Sequence, residues 1–139
     1  MVSKIEVDAL SGVSSAGVMT VVGEGGSTTT SLQQGLCKAW VHMDGSGTPS
    51  ANDSHNLTSI TDTASGRYSL NIANDFGNAN YTCGWMAGNN GTTTVARSSS
   101  IDNTPATGVF AVRLVSCESD ANVVTEDPNI LYNFHGDLA

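Results

Sequence analysis

Two histidines and two aspartates bracket one loop of this sequence, as His42-x-Asp44 and Asp53-x-His55. Imidazole nitrogens and carboxylate oxygens are ligands for divalent metals. If the flanking segments pair as a hairpin, the four groups converge near its open end. The spacing matches no metal motif closely, however, and the ordinary reading is polar side chains around a surface loop. His135 stands alone in the tail. Gly23-Glu24-Gly25-Gly26 is glycine-rich but lacks the Gly-Lys-Ser/Thr ending of a phosphate loop. No Gly-x-Ser-x-Gly elbow is present, and no Ser/His spacing points to an activated nucleophile. Asp44-Gly45-Ser46-Gly47 falls short of a calcium loop, which needs oxygen ligands at alternate positions and a distal Glu. The acidic residues are spread over separate loops, so paired carboxylates for glycosidic cleavage are unsupported. The expectation is a protein without catalysis, cofactor or metal.

The aromatic and sulfur residues carry the remaining chemistry. Trp85 alternates with Tyr81, Cys83 and Ala87 and is expected in the core. Trp40 shares a face with Lys38 and His42, opposite Cys37, Ala39, Val41 and Met43. Trp40 and His42 are therefore candidates for a subunit interface or a ligand surface. Cys37, Cys83 and Cys117 are odd in number and contain no Cys-x-x-Cys pair. They are expected to be reduced, largely buried small hydrophobes rather than a disulfide framework or zinc site.

Composition narrows the class of protein that must position these residues. The chain has 139 residues, and Gly, Ser, Thr and Asn number 15, 17, 15 and 12. Hydrophobic residues are 39%, too many for a disordered chain, whereas charged residues are 13%, about half the usual share. Five cationic residues against 13 acidic ones give a net charge of −8, which argues against nucleic-acid binding and against anionic membranes. No apolar run reaches the length of a membrane span. Acidic residues interrupt the first positions before any apolar run forms, so no signal peptide is expected, and synthesis and folding are expected in a cytoplasm.

From Cys37 onward, alternation of period two recurs with turn residues about every ten positions, the pattern of an all-β sandwich or barrel. Strands are expected at Cys37–Met43, around His55–Ile60, at Arg67–Ile72, Tyr81–Ala87, Thr92–Ser98 and Gly108–Cys117, with Pro128–Phe134 as an added tail strand. Gly108–Cys117 is apolar on both faces and is expected to lie centrally. The expected fold is a compact antiparallel β-sandwich or barrel-like domain of six or seven strands over residues 34–139. Residues 1–33 read as an extended N-terminal arm with one short helix near Thr30–Leu36. Ile5, Val7, Val18 and Val22 give that arm short apolar alternations with no core of their own, so they are candidate docking or interchain residues.

Several blocks occur in order: Lys38-Ala39-Trp40-Val41-His42-Met43-Asp44-Gly45-Ser46-Gly47-Thr48, Ser54 to Asp62, Gly66-Arg67-Tyr68-Ser69-Leu70-Asn71, and Asn78-Ala79-Asn80-Tyr81. Together they resemble a module of structural proteins in tailed bacteriophages, especially those of marine bacteria. Gly23–Gly26 and Leu32–Leu36 resemble its usual lead-in, and Met43 stands where the family often has Phe. The resemblance spans residues 20–85 and extends loosely to about 115. It implies a structural role in a virion, in a tail fibre, knob or other appendage or in a capsid decoration protein, with a trimer as the expected assembly. It transfers no active site. The expected partners are further copies of the chain, other virion proteins and a host-surface glycan used in attachment. The alternative from another class is a carbohydrate-binding β-sandwich that stacks sugars on Trp40 or Trp85.

Overall fold

The structure is a computed structural model that describes residues 5–10, 19–23, 25–88, 96–117 and 129–139. It divides into two units, Met1–Leu36 and Cys37–Ala139. In the first, β1 (Thr20–Val22) pairs antiparallel with β2 (Thr29–Ser31). Gly26, at φ +74°, supplies the positive φ that this hairpin turn requires. One helical turn, α1 (Leu32–Gly35), follows, and its N-cap Ser31 hydroxyl accepts from the Gln34 amide.

The second unit is an antiparallel β-sandwich. One sheet has the order β4-β3-β10-β7, from Ser50–His55, Ala39–Asp44, Asn129–His135 and Thr82–Gly88. The other has the order β5-β6-β9-β8, from Leu57–Ala64, Arg67–Ile72, Val109–Ser116 and Arg97–Ile101. In β3, β6 and β9 the alternation read from sequence is the burial pattern observed. Ala39, Val41 and Met43 are buried, as are Tyr68, Leu70 and Ile72, and Phe110, Val112 and Leu114. The strand β9 is central, as its two apolar faces required. Aromatic rings join the sheets: Phe110 meets Phe134 edge-on at 5.0 Å.

Three strands add detail to the expected pattern. Among the described residues the sandwich has eight strands where six or seven were expected: Ser50–His55 forms a strand of its own, β4, and Asn56 separates it from β5 in the other sheet. The expected tail strand is present, and it is central: β10 lies between β3 and β7 and buries Ile130, Tyr132 and Phe134. Of the strand expected at Thr92–Ser98, Arg97 and Ser98 lie in the observed strand Arg97–Ile101, and Thr92–Val95 lie outside the described residues.

Candidate functional site

Three of the sequence blocks, Lys38–Thr48, Ser54–Asp62 and Gly66–Asn71, are joined to one another by hydrogen bonds in the fold. The Asp44 carboxylate accepts from the Ser46 amide at 2.8 Å and from the Ser46 hydroxyl at 2.6 Å. These two bonds hold the carboxyl below its ordinary pKa range. Gly45 follows because no side chain fits: a Cβ there would stand 2.6 Å from the Tyr68 hydroxyl and 2.8 Å from Ile130. Tyr68, from the Gly66-Arg67-Tyr68 block, donates to the Gly45 carbonyl at 2.7 Å across the sandwich. Asn71 donates to the hydroxyls of Ser59 and Thr61, at 3.0 Å each.

Asn56 makes the corner between sheets, at φ +56°, a left-handed conformation that Asn tolerates better than most residues. Its side-chain amide donates to the carbonyls of Lys38 and Asn74, and its carbonyl oxygen accepts from the Asn74 amide at 2.7 Å.

The His/Asp quartet does not assemble. Asp53 lies opposite His42 in the β3–β4 ladder, but His55 lies opposite Trp40 and Asp44 opposite Ser50, with a bulge after His42. The His42 ring reaches Asn129 at 3.4 Å, while Asp44 and Asp53 accept from neighbouring serine amides. Among the described residues no three His, Cys, Asp or Glu side chains gather as a metal would need.

Two surfaces of the sandwich remain. The first is the outer face of β3, β10 and β7. Trp40, Leu131 and Met86 are 36%, 41% and 66% exposed there, and His42, Leu131 and Met86 occupy one cross-strand row. Lys38, expected on this face, is buried, and its backbone amide donates to the Phe134 carbonyl. Of the arm residues, Ile5, Val7 and Val22 are exposed, and Val18 lies outside the described residues.

The second surface is a cleft of about 340 Å³ between the edge strands β7 and β8. Trp85 lines it and is 40% exposed, which corrects the expectation of a core tryptophan. Its register opposite Tyr132 puts it on the inward side of β7, but β7 is an edge strand and the sandwich is open there. Tyr81, Phe110 and Tyr132 give further aromatic wall, and Thr82, Ser99 and Ser100 also line the cleft. The Tyr132 and Ser99 hydroxyls are hydrogen-bonded to each other at 2.8 Å. Burial pushes the Tyr132 hydroxyl up to about 12, against the opposing effect of that bond. Cys83, also in the wall, is pushed up to about 12 by burial. Sequence alternation could not show this cleft, because its walls come from segments far apart in the chain.

The cysteines are free, as expected, but less buried: Cys37 and Cys83 are half-buried and Cys117 is exposed. No protein-family model, curated protein or solved structure matches the chain.

Proposed function

We propose that this chain is a bacteriophage virion structural protein, a homotrimeric fibre- or knob-like appendage or capsid decoration component that attaches through its N-terminal segment and has no catalytic role. The resemblance of the spaced blocks supports the virion. The observation that carries an assembly role is burial. No described residue of the Met1–Leu36 unit is buried, and Ile5, Val7, Leu10, Val21, Val22 and Leu36 are each more than half exposed. Burying one large aliphatic side chain is worth about 1.5–3 kcal/mol, so such a segment gains by docking on a further surface, which the proposed assembly supplies. An isolated two-stranded hairpin is itself marginal in water. The acidic net charge sets nucleic acid aside as the partner.

Incorporation into particles tests the proposal. A chain lacking residues 1–33 is expected to keep the strand-rich circular dichroism spectrum of the sandwich while failing to enter phage particles. Incorporation of the shortened chain at full occupancy would move the docking role to the sandwich. Absence of the full-length chain from purified particles would end the virion assignment.

A further inference from the structure

We infer that the cleft between β7 and β8 binds a single neutral sugar ring. The inference rests on the cleft alone: a protein that bound sugars without ever entering a particle would retain it. It also decides between the two tryptophans, in favour of Trp85.

A sugar ring presents two kinds of surface, C–H faces that lie against aromatic rings and a rim of hydroxyls that need donors and acceptors. The cleft offers both. At about 340 Å³ it falls at the small end of ligand pockets. Trp85 supplies a partly open indole, and Tyr81, Phe110 and Ile101 continue the apolar wall. Tyr132 is only 2% exposed, yet it lines the cleft and carries a polar group. Its hydroxyl and that of Ser99 share one bond of 2.8 Å. Two hydroxyls bring two protons, and that bond uses one, so a donor and spare lone pairs remain for a ligand. A wholly apolar ligand would leave them unsatisfied at a cost.

Charge narrows the class further. Among the described residues no Asp, Glu, Lys or Arg lines the cleft, and Cys83 and Tyr132 are protonated at neutral pH. An anionic ligand meets no countercharge there and a net charge of −8 on the chain, and a cationic one finds no carboxylate. A neutral ring with apolar faces and a hydroxyl rim fits these constraints. Trp40 lacks the enclosure: it lies on an outer sheet face, flanked in the ladder by His55 and Asn133.

The test is a ¹H–¹⁵N spectrum of the full chain titrated with glucose, galactose, mannose and N-acetylglucosamine, and separately with glucuronate and cyclohexanol. At least one neutral sugar is expected to shift the Trp85 indole N–H and leave that of Trp40 in place. Trp85→Ala is expected to weaken that sugar about tenfold, the size of one lost ring contact. Tyr132→Phe or Ser99→Ala is expected to weaken it roughly three- to tenfold, the size of one lost hydrogen bond. Retained peak dispersion confirms the fold of each variant, and Trp85→Phe serves if the alanine variant loses it. Four silent sugars overturn the inference. So does cyclohexanol binding without sugar binding, glucuronate binding as tightly as glucose, or an affinity indifferent to Trp85.

Discussion

Gly45 and Tyr68 show how one missing side chain can secure a sandwich. The Tyr68 hydroxyl occupies the space where a Gly45 Cβ would stand, and it donates to the carbonyl of that same glycine. Gly45→Ala is expected to destabilise the protein by about 1–3 kcal/mol, the usual cost of overpacking a filled core. Tyr68→Phe removes the bond and costs about 1 kcal/mol, but it also removes the nearest atom to the new methyl. In the Tyr68→Phe background the alanine is therefore expected to cost less, and denaturant melts of the four proteins measure the coupling. Equal costs in both backgrounds would locate the strain at Ile130 instead. The cysteines differ among themselves at this scale. Cys117 is exposed, whereas the Cys83 thiol is half-buried and pushed up to about 12. One thiol per native chain is expected to react rapidly with a disulfide reagent, with Cys83 the slowest, because the thiolate is the reacting form. Loss of the fast phase in Cys117→Ser checks the assignment.

At the scale of strands, the turn that closes β3 is held by a carboxylate. The Ser46 bonds lower the Asp44 pKa in the folded state, so the stability they contribute is present above the unfolded value and lost as pH falls through the folded one. Asp44→Asn is expected to lower the melting temperature at pH 7 and to approach the wild type only as pH falls below the unfolded carboxylate value of about 4; a difference that persists unchanged well below that pH would assign the effect to something other than ionisation. Tyr132 has the opposite sign. Its raised pKa favours the fold below 10, and that contribution is lost between 10 and about 12 as the unfolded chain ionises first. Elements such as β3, β6 and β9 were legible because one face of each is apolar at every second residue, a local property. The corner at Asn56 was not legible, since a positive φ in the middle of a polar run leaves no periodic trace. The central place of β10 was not legible either, because its partners β3 and β7 are chosen by long-range pairing. The exposure of Trp85 escapes the pattern for the same reason: alternation names the side of a strand that faces inward, and only the sheet order reveals that β7 is an edge. The His/Asp quartet failed at register, where a bulge and a two-residue offset put each histidine opposite a different kind of neighbour.

For the molecule as a whole, the outer face of β3, β10 and β7 and the N-terminal unit raise the same question of what covers exposed apolar surface. Trp40, Leu131 and Met86 lie together on a sheet face that carries no other layer among the described strands of the sandwich. Their rings and aliphatic chains contribute nothing to the core, so removing one should leave the sandwich stable and weaken only an assembly built on that face. Burying Trp40 between subunits is worth on the order of 2 kcal/mol per subunit. In the proposed trimer three such contacts shift the dissociation midpoint by about two powers of ten in concentration, since the dissociation constant scales as concentration squared. Trp40→Ser is therefore expected to turn a homotrimer into monomers at micromolar concentration while its melting temperature, measured on the monomer, stays close to that of the wild type. Native mass spectrometry reads the first quantity and calorimetry on diluted samples the second. A wild-type chain that is monomeric at micromolar concentration removes the oligomer, and a Trp40→Ser chain that unfolds without first dissociating assigns the indole to the stability of its own sandwich.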